Sequence, residues 1–152
     1  MKSIVLYEAP DKANKVLGKV ETREFPKPEP GPEDILIRVA YSSICGSDNN
    51  ILKGNVPEEQ IAQLKVVLQF QPFNLGHEIS GVIEDLGPKA KLAGFKVGDR
   101  VTANYVKFCN ACYFCRTGQE NFCEKPVTKM DGMSEYVCWH YSQVYKLPDD
   151  VS

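Results

Sequence analysis

Cys109, Cys112, Cys115 and Cys123 fall within fifteen residues at a C-x2-C-x2-C-x7-C spacing. Four sulfurs gathered on so short a stretch constrain the chain more than any other feature of it. Four thiolates from one loop can close tetrahedrally on a single zinc and leave no open position. A closed site of this kind is structural, because it ties down a loop with little apolar content of its own. The excess negative charge of four thiolates could be offset by backbone N–H groups and by Lys107, Arg116 or Lys125. An iron–sulfur cluster is the chemical rival, since the first three cysteines share a ferredoxin spacing. The fourth does not, because it follows seven residues where that motif needs three and then a proline. A redox C-x-x-C pair would call for a βαβ setting that the sequence does not offer.

The other two cysteines, Cys45 and Cys138, bring the total to six. In a reducing compartment such clustering points to metal or catalysis and away from disulfides. The N-terminus reaches Glu8 after a single lysine and does not read as a signal peptide, so a cytoplasmic location is the expectation. No apolar run of about 18 residues is present, so no membrane partner is expected. The formal net charge of -2 argues against a nucleic-acid partner held by phosphate contacts. A length of 152 residues suits one domain.

Short strands dominate the pattern. Runs at 3–7, 34–44, 79–84, 100–106, 135–139 and 143–147 are β-branched or alternate, and Gly76, Gly81, Gly87-Pro88, Gly94, Gly98 and Asp131-Gly132 punctuate them. In the second run Ile35, Ile37, Val39 and Tyr41 should share one face, and Leu36, Arg38 and Ala40 the other. The prolines at 26, 28, 30 and 32 predict an extended crossing. Two short helices are expected, over 47–53 with Ser47 or Asp48 as cap, and over 57–64. Such a pattern predicts a mainly β fold, a barrel or sandwich, and not a doubly wound parallel sheet. No G-x-G-x-x-G follows a strand, so a nucleotide-binding Rossmann domain is not expected within 1–152.

A second, separated ligand set adds to the loop. Cys45 ends the best strand and His77 precedes the next good one. A thiolate and an imidazole at strand ends suit a metal site assembled by the fold, and soft sulfur with imidazole favours zinc. Glu78 and Asp48 could ligate, or could accept the other imidazole N–H and orient the ring. Taken singly, these residues would more often be packed or hydrogen-bonded groups. Cys138 reads as a strand thiol and His140 as a surface histidine, while Tyr41, Tyr105, Tyr113 and Tyr136 read as packing residues.

Cys45-Gly46-Ser47-Asp48, Gly76-His77-Glu78, Gly98-Asp99-Arg100-Val101, the four-cysteine loop and Gly132-Met133-Ser134-Glu135-Tyr136 occur together and in this order. The combination closely resembles the zinc-containing medium-chain alcohol dehydrogenases, over almost the whole chain. The Cys-Gly-Ser-Asp form looks most like the polyol and threonine dehydrogenase branches. The resemblance implies a GroES-like, partly open β-barrel with a zinc-binding loop and a few short helices. It implies catalytic-zinc ligation by Cys45, His77 and Glu78, with Asp48 behind the histidine and Ser47 on the substrate oxygen. It also implies structural zinc at Cys109, Cys112, Cys115 and Cys123.

The implied activity is hydride transfer from an alcohol or polyol to NAD or NADP, with oligomerisation possible in the whole enzyme. Two departures stand out. Asn50 occupies a position where the family often has a proton-relaying histidine, and a further zinc ligand usual in the family would lie beyond Ser152. The chain therefore reads as the substrate-side portion of such an enzyme, inactive alone. A stand-alone zinc module for protein contacts is the alternative, and a co-chaperonin-like protein would share the barrel without explaining the ligand cysteines.

Overall fold

In the computed structural model, which describes residues 1–151, the chain is mainly β. In chain order the elements are β1 (Lys2–Glu8), β2 (Lys19–Glu24), β3 (Asp34–Ser43), α1 (Gly46–Lys53), α2 (Glu58–Val67), β4 (Phe73–Asn74) and β5 (Glu78–Leu86). They continue with α3 (Pro88–Leu92), β6 (Arg100–Ala103), β7 (Val106–Lys107), α4 (Tyr113–Arg116), β8 (Val127–Thr128), β9 (Tyr136–His140) and β10 (Val144–Lys146).

Five strands in the order β10-β6-β5-β3-β9 form the main antiparallel sheet, which curls into a partly open barrel. A second sheet, β2-β1-β4, lies beside it, and β7 pairs with β8 at the cysteine loop. The segment before β9 stitches the sheets together. Ile4 N donates to Met133 O at 2.8 Å, Glu135 N donates to Lys2 O at 3.0 Å, and Val39 N donates to Glu135 O at 3.0 Å.

The barrel core is Ile35, Ile37, Ile79, Ile83, Val101, Val137, Trp139 and Val144, all buried. A smaller cluster around Leu6, Leu64 and Leu75 seats α2. Trp139 is fully enclosed, and its indole N–H donates to the Asp131 carboxylate at 2.5 Å. Burial pushes the Asp131 carboxyl above its ordinary range, and the indole donor opposes the shift.

The expected faces of 34–44 hold through Val39 and fail at Tyr41. Ile35 and Ile37 lie in the barrel cluster with Val39 packed against it, and Leu36, also buried, lies outside that cluster. Irregularities in the pairing with β5 fall between Leu36 and Ile37 and between Val39 and Tyr41, and beyond the second of them Tyr41 is 79% exposed. A bulge lets two residues oppose one and so re-aims the side chains beyond it. The glycine at 81 belongs to the same irregularity, because a Cβ there would lie 2.3 Å from the Arg38 carbonyl oxygen.

Other expectations shift as well. The run 100–106 breaks into β6 and β7 at Asn104-Tyr105. β2, α3 and α4 are elements beyond those expected, α3 starting at the Gly87-Pro88 pair read above as a turn. His140 is largely covered rather than a surface residue, with its side chain 13% exposed and Nδ1 2.8 Å from Ser142 Oγ. Tyr113 is 67% exposed and does not pack into the core. Cys138 lies in β9, and burial pushes its thiol up to about 11.

Candidate zinc sites

The four-cysteine loop runs from β7 through α4 to β8. Its four Sγ atoms lie within 4.8 Å of one another, and none is in a disulfide. Cys109 Sγ and Cys115 Sγ are 3.8 Å apart. Zinc–sulfur bonds of about 2.3 Å in a tetrahedron put sulfurs roughly 3.8 Å apart, so the donors fit that ion. Backbone N–H groups point at the sulfurs, including Cys109 N on Cys123 Sγ and Cys112 N on Cys109 Sγ, both at 3.4 Å.

Donors from Ala111, Glu124 and Cys109 hold the thiols of Cys109, Cys112 and Cys123, respectively, below their ordinary range. Cys115 is pushed up to about 12 by loss of solvent and then by the Cys112 and Cys123 sulfurs. A central dication suits this set, because it would hold all four as thiolates.

The second set is assembled by the barrel. Cys45 stands at the N-terminal boundary of α1, separated from β3 by Ile44 alone, and His77 and Glu78 sit at the entry to β5. One donor atom from each of the three lies within 4.8 Å of the others. His77 is buried and Glu78 exposed. The fold holds this entry by backbone contact. Gly76 has φ +82°, and a Cβ on it would lie 2.7 Å from Met133 N. Met133 N donates to Leu75 O and Gly132 N donates to Gly76 O, each at 2.9 Å.

Asp48 is 1% exposed, and its carboxylate accepts from Cys45 N at 3.0 Å and from Gly76 N at 3.1 Å. It thus ties the two ligand-bearing segments together. It faces His77 Nδ1 at 3.9 Å, too far for the hydrogen bond the sequence suggested. That nitrogen is buried without a partner. Ser47 Oγ lies 3.4 Å from His77 Nε2.

These residues end a cleft of about 680 Å³, lined also by Tyr41, Ser43, Ile79, Ser80, Thr102 and Asn104. Two further contributors carry no sequence motif. Tyr105 packs its ring on His77 at 4.7 Å, tilted by 53°. Gln143, 1% exposed, holds the backbone beside Tyr105. A break in a strand run at Asn104-Tyr105 could have hinted at the first, but nothing in the sequence pointed to the second.

Residues 31–149 match the family model for the alcohol dehydrogenase GroES-like domain. The chain belongs to the zinc-containing medium-chain alcohol dehydrogenase family, through that domain.

Among its relatives is an L-threonine 3-dehydrogenase from Deinococcus deserti, 35% identical over 147 residues, 90% of this chain and 40% of the relative. Among solved structures it is similar to one assigned as a zinc-binding dehydrogenase from Clostridium scindens. That match has 41% identity and a TM-score of 0.89, and covers 100% of this chain and 42% of the other. It is also similar to galactitol-1-phosphate dehydrogenase from Escherichia coli, with 26% identity and a TM-score of 0.77, over 99% of this chain and 39% of the other. The chain thus spans about two fifths of the length of these relatives.

Proposed function

We propose that this chain is the zinc-binding catalytic domain of an NAD- or NADP-dependent alcohol or polyol dehydrogenase. The reading rests on the convergence of Cys45, His77, Glu78 and Ser47 at one end of a cleft, in a domain of this family. Cys45, His77 and Glu78 would hold the catalytic zinc, and Cys109, Cys112, Cys115 and Cys123 the structural one.

When bound, zinc supplies Lewis-acid polarisation of the substrate oxygen. One thiolate, one neutral imidazole and one carboxylate balance a dication, so negative charge growing on that oxygen meets no surplus ligand charge. Ser47 Oγ accepts the hydrogen bond of the substrate hydroxyl and passes the proton outward. Asn50, within α1, cannot take up a proton, so the outward path runs through water or a ribose hydroxyl. Asp48 keeps the ligand-bearing segments in register from behind.

The hydride needs an organic acceptor, and the hydride chemistry belongs to that cofactor. In this reading a separate nucleotide-binding domain carries it. The names of the relatives, threonine and galactitol 1-phosphate dehydrogenases, favour a small substrate whose hydroxyl is flanked by polar groups. A stand-alone zinc module would account for the cysteine loop and leave the second convergence without a role.

Native mass spectrometry of the purified chain tests the metal assignments. Two zinc ions are expected, one released only on denaturation and one removed by a chelator. Iron with acid-labile sulfide would overturn the loop assignment. Supplied with a nucleotide-binding domain in the same polypeptide, the chain is expected to oxidise alcohols or polyols with NAD⁺ or NADP⁺. Silence across a broad panel would overturn the dehydrogenase reading.

A further inference from the structure

His77 meets Ser47 Oγ at 3.4 Å from Nε2 and the Asp48 carboxylate at 3.9 Å from Nδ1. The ring of Tyr105 packs on the imidazole at 4.7 Å and limits the tilt it can take. Tyr105 is itself 37% exposed and stands on a bend between β6 and β7, so its own placement needs an anchor.

The bend is clamped on both sides of Asn104. Asn104 N donates to the backbone oxygen of Gln143 at 2.7 Å, and Gln143 Nε2 donates to the Asn104 carbonyl at 3.0 Å. The Asn104 side chain closes the turn by accepting from Val106 N at 2.9 Å, and Lys129 N donates to the Tyr105 carbonyl at 2.9 Å. Gln143 is 1% exposed and stands immediately before β10, which pairs with β6. Its amide N–H is spent on the Asn104 carbonyl, a role that no apolar residue of the same size could fill.

We infer that Gln143 is a positioning residue for the candidate ligand His77, acting through the Asn104 backbone and the Tyr105 ring. Gln143 touches neither His77 nor the cleft. It fixes the bend, the bend fixes the phenol ring, and the ring fixes the imidazole. The inference rests on the zinc reading only for its consequence, not for its geometry.

The chain has two histidines, which makes the imidazole resonances easy to assign. Gln143→Met keeps the length of the side chain and removes the donor. Tyr105→Leu marks the position of the His77 ring-proton resonances when no aromatic ring lies over them, and Tyr105→Phe keeps the ring. In Gln143→Met the His77 resonances are expected to move most of the way to their Tyr105→Leu positions. Tyr105→Phe should leave them close to wild type. The Trp139 indole resonance reports that each variant is folded.

Cobalt titration, read by its absorption bands, should show affinity at the Cys45–His77 site falling about tenfold or more in Gln143→Met, as for other residues that orient a ligand from outside the metal shell. The four-cysteine site should keep its affinity. A folded Gln143→Met chain with unmoved His77 resonances overturns the inference. So do moved resonances with unchanged cobalt affinity. A wild-type chain that binds cobalt only at the cysteine loop overturns the catalytic-zinc reading instead, and leaves the resonance shifts to decide the clamp.

Discussion

Gly76 shows how much one backbone position decides. Its φ of +82° is a conformation side chains rarely adopt, and an added Cβ would meet both the side chain and the N–H of Met133. Gly76→Ala is expected to destabilise the chain by about 2 kcal/mol or more, since strain and a backbone clash combine. Urea denaturation measures that loss, and the neighbouring His77 should lose cobalt affinity in step.

Asp131 makes a different case. Burial raises its folded pKa, so its protonated form is the one the fold prefers. For an acid raised in this way the contribution to stability is full below the unfolded carboxyl value and fades as pH rises through the folded one. Asp131→Asn can still accept from the Trp139 indole and carries no charge. It is expected to be more stable than wild type at pH 7 and similar at pH 3, as read by urea midpoints at both values. Equal midpoints at pH 7 would show that the buried carboxylate carries no penalty.

At the scale of elements, the legible and illegible parts of the sequence separate by mechanism. β5 and β9 were visible because one face is buried and their residues alternate accordingly. β2, with the sequence KVETRE, is almost wholly exposed and exists because β1 pairs with it, which no local pattern reveals. β3 was found and its barrel face assigned through Val39, but Tyr41 was misplaced, since an irregularity in the pairing re-aims the side chain beyond it without changing composition. Cys45, His77 and Glu78 stood out as motifs, and the fold brings their donor atoms together. Tyr105 and Gln143 did not stand out, because their part depends on a contact between β6, β7 and β10 that the chain closes only in three dimensions.

The cysteine loop belongs to this scale too. Its strands β7 and β8 are two residues each, and α4 is a single turn with no buried residue. Loops with so little buried apolar surface open at small cost in free energy. Zinc removal by a strong chelator under mild denaturant is therefore expected to expose the segment from Cys109 to Cys123. Limited proteolysis should cut there first, while the barrel fragments stay intact. Uniform digestion of the chain would contradict this.

For the whole molecule, two cores of unequal size divide the work. Ten buried residues form the barrel cluster and three the one beneath α2. Protection from hydrogen exchange should follow that division, slowest in β3 and β5 and faster in α2. Among the described residues no helix is long and apolar enough to cross a membrane.

The contact of Leu75 and Gly76 with Gly132 and Met133 has a consequence for biosynthesis. As the chain leaves the ribosome, the fifteen-residue cysteine loop is complete before the backbone that braces His77 has been made. On the zinc reading, the local site can capture its ion during synthesis, whereas the assembled site must wait for the last strands to close. Loading of the two sites would then be ordered in time by the topology, and a nascent chain stalled with Cys123 outside the exit tunnel and Gly132 still within it should already carry the first ion and not the second.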